Sequence, residues 1–140
     1  MTTPTTEGLP ELLDVDDIKA EPGSAVATMV VHAKHLAPNG LVHAASVVAL
    51  ADTACGYGCL ASLPAGRSGF ATADLTAHYV GSAQVGDTLT VIATMRHGGS
   101  TTQLWDATVS QLQHDESCDI ATFRCLQILL SPKTPSPTQH

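Results

Sequence analysis

The chain has 140 residues, enough for one domain with a substantial core; 44% are hydrophobic, only 14% are charged, and the formal net charge is −7. Six Lys and Arg against thirteen Asp and Glu exclude a nucleic-acid partner, because tracking phosphates requires clustered cations. No stretch reaches the roughly 20 uninterrupted apolar residues of a membrane span, so no membrane partner is expected.

In chain order, residues 1–10 are rich in Thr and Pro and read as a flexible N-terminus. The start MTTPTTEGLPELLDVDD has neither a basic n-region nor an apolar h-region, which predicts a cytoplasmic protein. PELLDVDDIKA holds a short helix, and SAVATMVVHA (24–33) alternates as the first strand. Gly40 reads as a turn residue, with Asn39 beside it open between turn and site, followed by a helix over about 43–60 that closes at LPAGRSG.

Beyond the helix, FATADLTAHYV (70–80) alternates, with Ala71, Ala73, Leu75, Ala77 and Tyr79 on one face. DTLTVIATMRH (87–97) puts Leu89, Val91, Ala93 and Met95 on one side. TTQLWDATVSQLQ and IATFRCLQILL give two more strands around the turn-like HDES, and 131–140 reads as a flexible tail. The single domain is therefore 11–130. One early strand, one helix and a meander of strands define an α+β domain with an antiparallel sheet, whose later connections are too short for crossovers. Cys55, Cys59, Cys118 and Cys125 read as free thiols, since no CxxC spacing supports a zinc site and no metal is expected.

The helix has almost no polar face. Ala44, Ala45, Val47, Leu50, Ala54 and Leu60 are typical of it, which predicts burial on all sides with the sheet curled around it. Its one carboxylate, Asp52, stands among Leu50, Ala51, Ala54 and Cys55. A charge in such company is costly unless something pairs with it or uses it.

NGLVHAASVVALADTA resembles the segment of hot-dog-fold acyl-CoA thioesterases that reads N-G-x-x-H-G-G followed by a helix with L-A-D or L-A-E. VGDTLTVIATMRHGGSTTQLWDATV resembles the third strand, turn and fourth strand of the same family. Its GSTT with a Trp-Asp shortly after is similar to the phenylacetic-acid-degradation and 4-hydroxybenzoyl-CoA thioesterase branch. The likeness spans roughly residues 24–130. It implies a hot-dog fold, a curled antiparallel sheet wrapped around one long central helix.

It also implies hydrolysis of an acyl- or aroyl-CoA thioester. Asp52 is then nucleophile or general base, and the Ala44 amide polarises the thioester carbonyl at a helix N-terminus. His43 completes the catalytic group by capping or orienting the helix start. Asn39, Gly40 and Gly56 adjoin the substrate, and Ser100 and Thr101 contact the coenzyme A moiety. No cofactor is implied, since coenzyme A is part of the substrate and product.

Ala44 and Asp52 are eight residues apart, about 12 Å along one helix. Both cannot serve one carbonyl from one helix, because reacting groups must approach to about 3 Å. The site must be shared across a homodimer, alone or within a dimer of dimers. Arg67 and Arg96 are candidate phosphate partners. Trp105 reads as packing, Asp74 and His78 share a strand face, and Phe70, Tyr57, Tyr79 or Met95 could line an acyl slot.

The sequence departs from the family pattern at three places. His43-Ala44-Ala45 replaces H-G-G, Ala37 replaces a polar residue two positions before Asn39, and Gly56 stands where some relatives carry Thr or Ser. Two other readings remain open at this point: a hot-dog CoA-ester hydratase or dehydratase, and a non-catalytic acyl-CoA-binding domain.

Overall fold

The computed structural model describes residues 7–113 and 115–133. Residues 1–6 and 134–140, most of the two ends read as flexible, and His114 of the HDES turn lie outside the described residues. A short helix, α1 (Leu9–Leu12), starts inside the stretch read as a loose end, with Pro10 in its first turn, where a missing N–H breaks no bond. It packs on the long helix α2 (Ala44–Ala61).

Six strands form one antiparallel sheet: β1 (Asp16–Glu21), β2 (Ser24–Val30), β3 (Gly69–Tyr79), β4 (Thr88–Gly98), β5 (Thr102–Gln113) and β6 (Glu116–Leu130). Their order across the sheet is β1-β2-β4-β5-β6-β3. This is the expected α+β arrangement, with α2 in contact with every strand of a curled sheet. By length and composition α2 could also cross a bilayer, but here Val47, Leu50, Ala51, Ala54, Cys55 and Cys59 are buried in the core.

Several details differ from the sequence reading. β1 was not foreseen as a strand. Its alternation is hidden by Asp16, Asp17, Lys19 and Glu21, a bulge between Asp16 and Lys19, and an edge position that buries only Ile18 fully. In β3 the register shifts between Thr72 and Asp74, so Ala71 opposes Ile128 whereas Leu75 and Ala77 oppose Cys125 and Phe123. The extra residue turns the strand over, and the predicted single face is two half-faces. β6 begins at Glu116 because its pairing with β5 continues to the Gln113–Glu116 pair.

β3 and β4 do not form a hairpin. Residues 80–87 cross the sheet end instead: the Gly81 amide donates to Ile120, the Ser82 carbonyl accepts from Gln111, and the Gly86 amide donates to Val31. Eight residues reach about 26 Å when extended, ample for passing two strands spaced about 4.8 Å apart.

The helix approaches the sheet closely because its contact face is made of small residues. A methyl added at Gly58 would lie 2.6 Å from Cη2 of Trp105, which is fully buried. The indole Nε1 donates to Gln103 Oε1 at 2.7 Å, and Gln103 Nε2 donates to the Ser62 carbonyl at 3.0 Å, so the polar groups under the helix end are paired. Burial is not complete all round, however. Ala45 is exposed, and Val48, Ala49, Asp52 and Thr53 are half-buried, because a single sheet covers a helix on one side only.

Gly58→Ala is expected to destabilise the fold by about 1–3 kcal/mol through displacement of Trp105. Urea unfolding measures it, and an unchanged midpoint would show that the indole has room to move.

Candidate active site

The loop before α2 delivers its first turn in a fixed orientation. Gly40 has φ 85°, a region that favours glycine. Asn39 Oδ1 accepts from the Leu41 amide at 3.0 Å, while the Ala37 amide donates to the Leu41 carbonyl across the turn at 2.8 Å. Asn39 and Gly40 thus build the turn, and Ala37 is part of it through its backbone. Next, the His43 amide donates to the carbonyl of fully buried His35 at 2.7 Å.

His43 is the N-cap of α2. Its Nδ1 accepts from the Ala45 amide at 2.9 Å, and its carbonyl accepts from Ser46 and Val47. With Nδ1 engaged as an acceptor, that nitrogen is not available as a base. The Ala44 amide is left without a hydrogen bond among the described residues, at the positive end of the helix dipole. On the other side of the same turn, Tyr79 Oη donates to the Ala44 carbonyl at 3.1 Å. Burial raises the Tyr79 pKa, which keeps it a donor.

Asp52 lies mid-helix, half-buried, beside a cleft of about 300 Å³. Its Oδ1 is buried and has no hydrogen-bond partner among the described residues. Burial raises its pKa above the ordinary carboxylate value of 3.8. Phe70 at the start of β3 and Gly56, one helical turn beyond Asp52, close the cleft on one side; Leu9 and Pro10 of α1 reach it from another. The sequence points to a short helix in PELLDVDDIKA, but not to its place as a wall beside Asp52, which no local pattern signals.

Nearby thiols do not compete as nucleophiles. The Cys55 thiol is pushed up by its hydrogen bond with Cys125 and by burial, and burial pushes Cys59 up to about 11, so both stay protonated at neutral pH.

The other candidates lie elsewhere. Ser100 and Thr101 are exposed in the β4–β5 turn, which the Arg67 guanidinium holds by donating to the Ser100 carbonyl at 2.9 Å. That turn adjoins the C-terminal end of α2 through Gln103 and Ser62, whereas His43 and Ala44 are at the opposite end of a helix about 27 Å long. Within one chain the structure brings Asp52 and Gly56 together and keeps Ala44 and Ser100 apart from them.

Arg67 also donates to the Leu129 carbonyl and Ser131 Oγ, and Arg96 pairs with Asp106 at 3.4 Å beside the bidentate Arg124, so neither arginine is unpaired. Asp74 and His78 stand opposite Leu126 and Thr122, on the face of β3 turned away from α2. Of the possible slot residues, Phe70 and Tyr57 line the Asp52 cleft; Tyr79 and Met95 do not.

A family model described as the thioesterase superfamily matches residues 39–118. The acyl-coenzyme A thioesterase PaaI of Escherichia coli (strain K12) is 34% identical over 112 residues, covering 80% of this chain and 75% of that protein. The structure of the E. coli PaaI protein from the phenylacetic acid degradation operon aligns with a TM-score of 0.76 at 28% identity, over 87% of this chain and 83% of the other. A Streptococcus mutans UA159 protein bound to acetyl-CoA shares the fold, with a TM-score of 0.74 at 23% identity over 86% of this chain and 91% of its own.

The chain therefore belongs to the thioesterase superfamily and has the hot-dog fold. Within that superfamily it is a thioesterase of the PaaI branch.

The raised Asp52 pKa has a stability consequence. Native Asp52 keeps its proton to higher pH than unfolded Asp52, so stability falls as pH rises from the ordinary carboxylate range through the raised value. Asp52→Asn removes this loss, and its Tm relative to wild type is expected to increase with pH across that window. Paired melts from about pH 3 to about pH 8 test this; a Tm difference that stays flat would mean ionising Asp52 costs the fold nothing.

Proposed function

We propose that the protein hydrolyses an acyl- or aroyl-CoA thioester at a site shared between two copies of the chain. The observation that carries this reading is the Asp52 carboxylate, with one buried oxygen that has no partner among the described residues, beside a cleft. A fold has no use for an unpaired carboxylate that burial disfavours, whereas attack on a carbonyl carbon needs such a group. The relationship to an acyl-CoA thioesterase supplies the substrate class.

Two routes use the same residues. In one, the Asp52 carboxylate attacks the thioester carbon, the C–S bond breaks to release the coenzyme A thiolate, and water hydrolyses the mixed anhydride. In the other, Asp52 takes a proton from water, the hydroxide adds to the carbon, and the tetrahedral intermediate expels the thiolate, which recovers a proton. Either way negative charge collects on the carbonyl oxygen, and the Ala44 amide of the second copy, without a hydrogen bond among the described residues, is the donor proposed to receive it. His43 holds that amide in position by capping the neighbouring N–H groups. Asn39 and Gly40 set the turn beside it, and the hydroxyls of Ser100 and Thr101 are proposed to meet the coenzyme A moiety.

Three features support pairing of two copies. The two reacting groups lie about 12 Å apart on one helix; the helix face carrying Ala45, Ala49 and Asp52 is not covered by its own sheet; and the sheet has one long edge strand. Both edge strands carry a bulge, but β1 has only six residues, four of them charged, whereas β3 has 11 and exposes Leu75, with its outer backbone edge unpaired among the described residues.

Asp52→Asn is expected to keep the fold and the dimer and to lower kcat by roughly 10² or more, read as free-thiol release from aryl, short-chain and long-chain acyl-CoAs. Ala44→Pro deletes the amide with a similar loss. Heterodimers of the two variants are expected to recover part of the activity, because one site then keeps both groups. Confirmed heterodimers without recovery would overturn the shared site, and saturable binding with no turnover by wild type would favour a binding domain.

A further inference from the structure

We propose that Phe70, seated against Gly56, sets the size of the acyl group admitted beside Asp52; this rests on the thioesterase reading of the Asp52 site. Asp52 and Gly56 are four residues apart on α2 and therefore share one helix face. A methyl built on Gly56 would lie 3.0 Å from Phe70 Cζ, with the other ring atoms beyond it at 3.8 Å or more. The ring edge thus occupies the space a side chain would take one turn from the carboxylate, and both residues line the same cleft.

The base of that side chain is fixed. Phe70 pairs with Leu129 at the start of β3, and the Ser68 amide just before it donates to the Leu130 carbonyl at 2.9 Å. The wall can move only by rotation of the ring. Leu9 and Leu60, by contrast, are 57% and 45% exposed at the mouth of the cleft and do not bound its depth.

The chemistry of the lining matches an apolar acyl group. Thr53 Oγ1 is committed to the Ala49 carbonyl at 2.6 Å, so its hydroxyl proton does not point to a ligand. Ala49 and Phe70 add apolar surface, and the reactive carboxylate stands to one side of it. A single methyl-sized change in such a slot is worth roughly 10- to 200-fold in discrimination. Loss of a whole ring, or its displacement, is therefore readable in kinetics.

The test compares kcat/KM for 2-naphthoyl-CoA and benzoyl-CoA in wild type, Phe70→Ala, Phe70→Leu and Gly56→Ala, each checked for a cooperative melt. Phe70→Ala is expected to raise the naphthoyl-to-benzoyl ratio roughly tenfold, and Phe70→Leu to raise it less. Gly56→Ala, which pushes the ring or adds its own methyl toward the cleft, is expected to lower the ratio. General loosening of the fold moves both esters together and cannot produce opposite shifts in their ratio. Wild-type turnover with a ratio unchanged in the Phe70 variants overturns this inference alone. Absence of turnover on every ester in wild type overturns the thioesterase site, and this assignment with it. Should Phe70→Ala not fold, Phe70→Leu, which keeps an apolar side chain, decides the outcome.

Discussion

The structure depends on how near an 18-residue helix can lie to the sheet that curls around it. Glycine and alanine on the contact face bring the backbones together, and Trp105 fills the space over Gly58 that a larger residue would claim. Close approach would strand polar groups under the helix end. Gln103 prevents this by accepting from the indole and donating to the Ser62 carbonyl, while Ser62 Oγ ties the same end to Gly23. The other end is held by His43, His35 and Tyr79 through backbone atoms of the first turn. A helix fixed at both ends keeps its polar features at set heights, with the amide at the start and the carboxylate midway.

That fixation gives the two groups complementary electrostatics while keeping them apart. The first turn gathers partial positive charge, and the His43 ring and carbonyl satisfy its other amides, which concentrates the remaining donor capacity at Ala44. Asp52 is in the opposite situation, with no hydrogen-bond donor to its buried oxygen among the described residues. Bringing the two to one carbonyl takes a second helix. The difference between the short, charged edge at β1 and the longer edge at β3 offers a place for the copy that carries it in the proposed reading. Catalysis and assembly are thus two consequences of one helix position in the proposed reading.

The substitutions relative to the family pattern have structural partners. At Gly56 the space of a side chain is taken by the Phe70 ring, so a polar group is exchanged for an apolar wall. At Ala37 the side chain is small, but the backbone carries the turn that aims Val42 and His43. In the proposed reading the first change bears on which acyl group fits; the second leaves the helix start intact.

By itself the sequence determined the features governed by neighbours along the chain. The limits of α2 followed from the glycine turn, His43 and the apolar run, most strands from their period of two, and the oddity of Asp52 from the residues around it. Strands at the edge escaped this logic: β1 looks polar because only one of its faces meets the core, and the β3 alternation is broken by a bulge that no local pattern announces. The crossing of residues 80–87 escaped it as well, since a short connection looks the same whether it closes a hairpin or spans two strands. Only the tertiary structure decided that Leu9, Pro10 and Phe70 stand around Asp52, that Arg67 and Arg96 are already paired, and that Ser100 and Ala44 lie at opposite ends of the helix. Proximity across dozens of residues depends on how the sheet curls and where its strands are ordered, and neither is encoded in any one window of the chain.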